Sequence, residues 1–394
     1  MRCLAPLLLD CGPKITQGAD YPAGFGRRGE RLATARDWPR VATAAAAVLL
    51  VACGTTSPSA GESAPTGSPD TSAPASQSPG ASAWVTPHPL AGEDRDWIAY
   101  QTNRGGAEGI WLIHPDGSED HEVALDVPGE HLHPDWFPDG TQLLLTSRTE
   151  TDTLYVLDLE TNEARPLWPC SDPCVGDDEA AWSPDGWQIV FVRAMRSFVG
   201  GVPSCALMIG DPASGAVEQV GPTRSCAERE TFPRWSDDGS RIVYYRAAFE
   251  GETPVASAVY VFDLATAEET RLTDHAMFGG DADWHGDRWI VFSTYPLRDF
   301  QCCQASNLYR IRPDATGLEQ LTDYTADEER ATQPRVTPDG AWILYTAVKA
   351  DHRVPALMPV FGGESIRVVE SGIYTHPTRQ PGLCPNDVGC GTYP

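Results

Sequence analysis

From residue 97 onward, apolar positions come in short β-branched and aromatic runs separated by polar residues, the pattern of half-buried strands. Five of these runs follow one recurring phrase: Leu143-Leu144-Leu145, Ile189-Val190-Phe191-Val192, Ile242-Val243-Tyr244-Tyr245, Ile290-Val291-Phe292 and Ile343-Leu344-Tyr345. The phrase reads Trp136-Phe137-Pro138-Asp139-Gly140, Trp182-Ser183-Pro184-Asp185-Gly186, Trp235-Ser236-Asp237-Asp238-Gly239, a worn Trp284-His285-Gly286-Asp287, and Val336-Thr337-Pro338-Asp339-Gly340. Successive turn aspartates stand 46, 53, 49 and 52 residues apart. A period of this length marks a solenoid, a propeller or an array.

A second turn recurs between the phrases, as in His114-Pro115-Asp116-Gly117, Asp211-Pro212-Ala213-Ser214-Gly215 and Pro313-Asp314-Ala315-Thr316-Gly317. Each repeat therefore reads as four strands, a to d, with tight turns at a–b and c–d. Four-stranded repeats of this length predict an all-β chain folded as a six-bladed β-propeller. The tryptophan is expected at the end of strand a, wedged between neighbouring sheets. Strands c and d recur six times but the phrase only five, because the first repeat begins at strand b, near Trp97. Its missing strand a is expected from the C-terminal stretch around Tyr374-Thr375-His376-Pro377, which reads like the approaches His133-Pro134, Phe232-Pro233 and Gln333-Pro334.

The Trp-Ser-Pro-Asp-Gly phrase, the Ile-Val-Phe run after it and strands such as Leu154-Tyr155-Val156-Leu157-Asp158 resemble the WD40-like repeats of the TolB propeller family. The resemblance spans roughly residues 96–379. It implies a six-bladed propeller and a protein-binding role in the cell envelope, and says little about activity. Related propellers precede serine peptidase domains, but no Gly-x-Ser-x-Gly elbow occurs in this chain.

Ahead of the repeats the chain changes character. Residues 41–52 form a short apolar run after Arg36 and Arg40, too short to span a bilayer and of the length of a signal-peptide core. It ends in Leu50-Val51-Ala52-Cys53-Gly54, which resembles the bacterial lipobox and makes Cys53 the expected lipidation site. Residues before about Arg27 do not read as a signal n-region, so the start of translation is expected downstream of Met1. Residues 1–52 are thus a signal region. Residues 53–90 are a Ser/Pro/Thr/Gly tether expected to be disordered. Residues 91–380 are the propeller, and 381–394 a cysteine-containing tail. The protein is expected outside the cytoplasm, anchored on the outer side of the cell membrane.

Charge narrows the partners. The chain carries 55 Asp and Glu against 29 Lys and Arg, a net −26, and Lys14 and Lys349 are its only lysines. Nucleic acid is therefore a poor fit; cations or basic partners suit it better.

Setting aside Cys3, Cys11 and Cys53, eight of the 11 cysteines remain, an even number that reads as disulfides in an exported protein. One partition pairs Cys170 with Cys174, Cys205 with Cys226, Cys384 with Cys390, and the adjacent Cys302 with Cys303. Another sends Cys302 and Cys303 to Cys384 and Cys390. In a propeller the b–c and d–a loops open on one face. Cys170, Cys174, Cys205, Cys226, Cys302 and Cys303 all fall there, beside long loops expected over 194–204 and 295–306. This decorated face is expected to look away from the membrane and to carry binding.

The residue three before each Trp position gives His133, Glu179, Phe232, Asp281, Gln333 and His376, expected to ring the channel mouth on the decorated face. Two imidazoles and two carboxylates there suit a divalent cation, with His131, Asp178, Glu230 and Asp283 close by in sequence. Two functional readings stay open. In the first, the chain is a non-catalytic envelope lipoprotein binding a protein, peptide or glycan. In the second, it is a metal-assisted propeller enzyme acting on an extracytoplasmic polysaccharide or small molecule through His133, Glu179, Asp281 and His376.

Overall fold

A computed structural model describes residues 97–251, 253–294, 306–325, 329–349, 352–369, 372 and 374–380. Cys53, Cys302, Cys303, Cys384 and Cys390, with the signal region and tether, lie outside the described residues.

Six four-stranded antiparallel sheets make up the fold. Blade 1 holds β1 (Ile98–Thr102), β2 (Gly109–Ile113) and β3 (His121–Glu122). Blade 2 holds β4 (Glu130–Trp136), β5 (Gln142–Arg148), β6 (Thr153–Asp158) and β7 (Glu163–Pro166). Blade 3 holds β8 (Cys174–Trp182), β9 (Ile189–Val199), β10 (Val202–Gly210) and β11 (Val217–Ser225). Blade 4 follows with β12 (Glu228–Trp235), β13 (Arg241–Glu250), β14 (Thr253–Asp263) and β15 (Glu268–Arg271). Blade 5 has β16 (Gly279–His285), β17 (Trp289–Thr294), β18 (Leu308–Ile311) and β19 (Glu319–Gln320). Blade 6 has β20 (Arg330–Val336), β21 (Trp342–Lys349), β22 (His352–Pro359) and β23 (Ile366–Arg367). The last strand, β24 (Thr375–Arg379), lies antiparallel to β1 as the fourth strand of blade 1, with Ile98 opposite Arg379 and Gln101 opposite Thr375. The first strands of successive blades, β24, β4, β8, β12, β16 and β20, touch in a closed cycle around the axis.

Burial explains the strand b sequences. Tyr100, Leu145, Phe191, Tyr244, Phe292 and Tyr345 occupy equivalent strand b positions and are almost completely buried between blades. Where the ring is a tyrosine, its hydroxyl finds a partner: Tyr100 donates to Asp120, Tyr244 to Glu269 and Tyr345 to Ser365. The repeat tryptophans lie at the ends of the inner strands, and three of them donate across the seams. Trp136 Nε1 reaches Thr378 O at 3.1 Å, Trp235 Nε1 reaches Ala181 O at 3.3 Å, and Trp284 Nε1 reaches Arg234 O at 3.3 Å.

The Pro-Asp-Gly turns close on an N–H to C=O bond from glycine to the residue three before it, Gly186 to Ser183 (2.9 Å) and Gly140 to Phe137 (2.8 Å). The turn aspartate binds the turn's own hydroxyl, as Ser183 Oγ to Asp185 Oδ1 at 2.6 Å. At Gly186, with φ of 73°, a Cβ would come within 2.7 Å of the Phe137 ring of the neighbouring blade.

One expectation fails. Residues 194–204 are not a loop: β9 and β10 run on as a hairpin and turn at Gly200-Gly201, both at positive φ. The long loop expected over 295–306 falls almost wholly outside the described residues. Strand β9 has 11 residues where β5 has 7. Both begin just after the a–b turn, so blade 3 rises roughly 13 Å further on the decorated side. Two disulfides staple this blade, Cys170–Cys174 and Cys205–Cys226. The β13–β14 hairpin of blade 4 is extended in the same way.

Candidate ligand site at the channel layer

The six inner strands share one irregularity. His133, Glu179, Phe232, Asp281, Gln333 and His376 all have positive φ, between 42° and 56°. Strand pairing skips a step at or beside each of them. This is a β-bulge in a left-handed conformation, repeated in every blade. It is uncommon for side chains other than Gly, Asn or Asp. Four of the six are followed by proline, which has no N–H to lose from the interrupted ladder.

The bulge frees backbone N–H groups, and side chains of adjacent blades take them. Gln101 Oε1 accepts from His133 N (3.1 Å), Glu179 Oε2 from Phe232 N (2.9 Å) and Gln333 Oε1 from His376 N (3.0 Å). Two residues further along, Asp135 Oδ2 accepts from Trp182 N (2.9 Å) and Asp283 Oδ2 from Val336 N (2.8 Å).

These bulges aim side chains at the axis, and three rings meet there. His133 lies edge-on to His376 at 4.8 Å between centroids and edge-on to Phe232 at 5.0 Å. Phe232 and His376, from opposite blades, stack at 5.1 Å. The next layer along the strands holds Asp135, Arg234, Asp283 and Arg335. Arg234 Nη1 stands 3.6 Å from Asp135 Oδ1. Burial draws the Arg335 guanidinium down to about 10, helped by Arg234. Burial also pushes Asp135 and Asp283 upward against the pull of these arginines.

Hydrogen bonding fixes the protons. Asp178 Oδ1 accepts from Glu179 N and from His133 Nδ1, both at 2.8 Å. Burial raises the Asp178 carboxyl, but His133 and Arg148 outweigh it and hold the group well below the usual carboxylate range. His133 Nδ1 is therefore the donor in this pair. His133 Nε2 is buried without a hydrogen-bond partner. Gln333 Oε1 also accepts from Thr346 Oγ1 (2.9 Å), which leaves its amide nitrogen to donate to His376 Nε2 at 3.0 Å. Burial, His133 and the two arginines drive His376 well below 6.5. Glu179 Oε2 takes a second bond from Thr231 Oγ1 at 2.6 Å, and burial and Asp178 raise its carboxyl. Asp281 is 1% exposed, and neither carboxylate oxygen has a partner. Burial pushes it up to about 7, with Arg335 opposing and Glu179 assisting.

The two imidazoles and two carboxylates expected to converge thus share one layer but are mostly engaged with neighbours. Among the described residues, no three His, Cys, Asp or Glu side chains form a group able to hold a metal ion. His131 stays off the ring, its Nε2 bonded to Val127 O at 3.0 Å. Glu230 binds Arg224 (2.6 Å) and Arg246 (3.1 Å) instead of facing the axis residues. Sequence reasoning missed the Asp178–His133 pair, the Phe232 plug and the charged layer beneath. The only signal was the inner-strand spacing, which fixes Asp135, Arg234, Asp283 and Arg335 two residues beyond the ring positions.

No protein-family model matches the chain. An uncharacterised protein of Agrobacterium fabrum is 25% identical over 230 residues, which is 58% of this chain and 70% of that one. Among solved structures, TolB from Acinetobacter baumannii superposes with a TM-score of 0.53 at 18% identity, covering 73% of this chain and 67% of that one. A putative TolB from Agrobacterium tumefaciens gives 0.50 at 21% identity, covering 70% and 88%. The chain has the six-bladed β-propeller fold that these TolB structures share.

Proposed function

We propose that this chain is an extracytoplasmic lipoprotein whose propeller is a binding scaffold, non-catalytic, for a protein, peptide or glycan. Cys53 would carry the lipid, and residues 54–90 would hold the propeller off the membrane on a tether with a reach of roughly 30 Å. The observation that carries the reading is the asymmetry of the two faces. One has short turns. The other has the extended hairpins of blades 3 and 4, both disulfides, and Phe198 at a hairpin tip, 67% exposed. Rigid, stapled loops presenting an apolar tip suit recognition of a partner. The axis supports the same reading, because His133, Phe232 and His376 fill the layer where an open catalytic well would lie.

A photo-crosslinking residue at Phe198 tests the assignment in intact cells, with Trp187 on the opposite face as the comparison. Adducts at position 198 and none at 187 are expected. Adducts at 187 alone would reverse the orientation. Cys53→Ser is expected to abolish metabolic labelling with a fatty-acid analogue and to release the protein from membranes; retained labelling would remove the anchor.

A further inference from the structure

The seam between blades 5 and 6 departs from a pattern that blades 1 and 4 keep. In blade 1 the strand b tyrosine, Tyr100, donates to Asp120, and Tyr374 Oη reaches the same carboxylate at 3.3 Å. In blade 4, Tyr244 donates to Glu269. An arginine holds each carboxylate, Arg104 in blade 1 and Arg246 in blade 4. Cross-strand pairing sets Tyr100 level with Glu122, Tyr244 level with Arg271 and Tyr345 level with Arg367. Two residues before these on strand d stand Asp120, Glu269 and Ser365. Blade 6 therefore has a serine where blades 1 and 4 have a carboxylate, and Ala347 where blade 4 has Arg246. Its hydroxyl groups still converge. Tyr345 donates to Ser365 Oγ at 2.8 Å, and Tyr324 Oη stands 3.0 Å from Tyr345 Oη and 3.4 Å from Ser365 Oγ.

Beside these hydroxyls lies a cavity of about 450 Å³, lined by Tyr324, Glu329, Gly363, Ser365 and Arg367. Arg367 donates to Glu329, which fixes the guanidinium at the wall. A smaller hollow shares Arg367 and Glu329 and adds Lys349 and His352. Charge here runs against the rest of the chain. Residues 329–369 hold five Lys and Arg against four Asp and Glu, where the whole chain has 29 against 55. Glu329 is the one carboxylate among the described lining residues, and Arg367 and Lys349 outnumber it.

We infer that this cavity binds a small organic acid through its carboxylate. The ligand's carboxylate takes the place that the Asp120 and Glu269 carboxylates take in blades 1 and 4. Ser365 and the two tyrosines supply hydroxyl donors, and Arg367 and Lys349 supply positive charge. The volume lies in the range of small-molecule sites and leaves room for the body of the acid beside Tyr324. The site belongs to blades 5 and 6, apart from the hairpins of blades 3 and 4, so it does not rest on the scaffold reading.

The test is thermal unfolding of the full chain in Tris–chloride buffer, which contains no carboxylate. The probes are sodium acetate, benzoate and gluconate, each up to about 100 mM, at ionic strength matched with sodium chloride. Acetamide, benzamide and sorbitol are their neutral counterparts. A saturable rise in Tm with at least one carboxylate, absent with its neutral counterpart, is expected. No saturable rise with any of the three, or an equal rise with the counterpart, overturns the site. Ser365→Asp rebuilds within blade 6 the carboxylate that blade 1 carries. It is expected to weaken binding of the best carboxylate by about tenfold or more, measured by calorimetry. Unchanged affinity in that variant puts the binding elsewhere and overturns the assignment. Should it fail to fold, Ser365→Ala takes its place: a loss of about threefold or more is expected, and unchanged affinity again overturns the site.

Discussion

His133 donates Nδ1–H to Asp178 Oδ1 over 2.8 Å, across the seam between blades 2 and 3. Both side chains are buried, 3% and 5% exposed. Asp178 also serves Glu179 N and stands 3.8 Å from Arg148 Nη2. Asp178→Ala leaves His133 Nδ1 and Glu179 N without this acceptor and removes the charge facing Arg148. A loss of about 3 kcal/mol in urea denaturation is expected. In a double-mutant cycle with His133→Ala, the two losses should fail to add by about 1 kcal/mol or more. Simple additivity would mean that the pair does not act as a unit.

Asp281 makes stability depend on pH. Its folded-state pKa is raised to about 7 from 3.8, so between these values the folded chain holds a proton that the unfolded chain has released. The stability from the neutral carboxyl is complete below pH 3.8 and is lost as pH rises through 7. Asp281→Asn should thus be nearly neutral at pH 4 and stabilising by about 2 kcal/mol or more at pH 8. Asp152, raised to about 7 by burial and Asp178, slopes the same way. His376, lowered by burial, slopes oppositely, losing stability as pH falls below 6.5. The difference between variant and parent at each pH isolates Asp281; a difference that shrinks toward pH 8 contradicts the assignment.

Phe232 combines a buried ring with a φ of 48°. Phe232→Leu trims the plug and should cost about 1–3 kcal/mol. Phe232→Ile removes a similar volume but sets a β-branched side chain in a left-handed backbone, so it should cost about 1 kcal/mol more. Thermal unfolding of the two variants checks this. Equal stabilities would mean that the bulge relaxes without the ring.

The Cys205–Cys226 bond closes a loop of 21 residues within blade 3. Replacing both by serine should cost about 3 kcal/mol through the freed unfolded chain. Chemical denaturation measures it, and the loss should disappear when both proteins are compared under reducing conditions.

Much of the architecture was legible because the Trp-x-Pro-Asp-Gly turn is local: four neighbouring residues specify it, and its recurrence counts the blades. Counting back three residues from each copy found the six bulge positions, since inner strands of equal length meet the axis at equal depth. The left-handed backbone was not legible. None of the six is glycine or asparagine, the residues that usually announce it. The His133–Asp178 pair is separated by 45 residues and has no local signature. The blade 3 hairpin looked like a loop because Arg196, Ser197, Gly200 and Gly201 interrupt the apolar alternation, while its backbone pairing continues. Partner and ligand identity depend on surfaces whose chemistry the repeat does not encode.

The repeated left-handed bulge has a consequence for divergence. It sets six side chains at one level of the inner strands, and of these only Phe232 also belongs to a hydrophobic seam between blades. A change at Asp281, whose oxygens have no hydrogen-bond partner, alters what the axis presents with fewer consequences for neighbouring blades than a change at Glu179 or Gln333, which accept backbone N–H groups across a seam. Retuning specificity and preserving the scaffold become separable problems at Asp281. The propeller is a socket whose pins differ in how freely they exchange, and all of them favour side chains unbranched at the β-carbon.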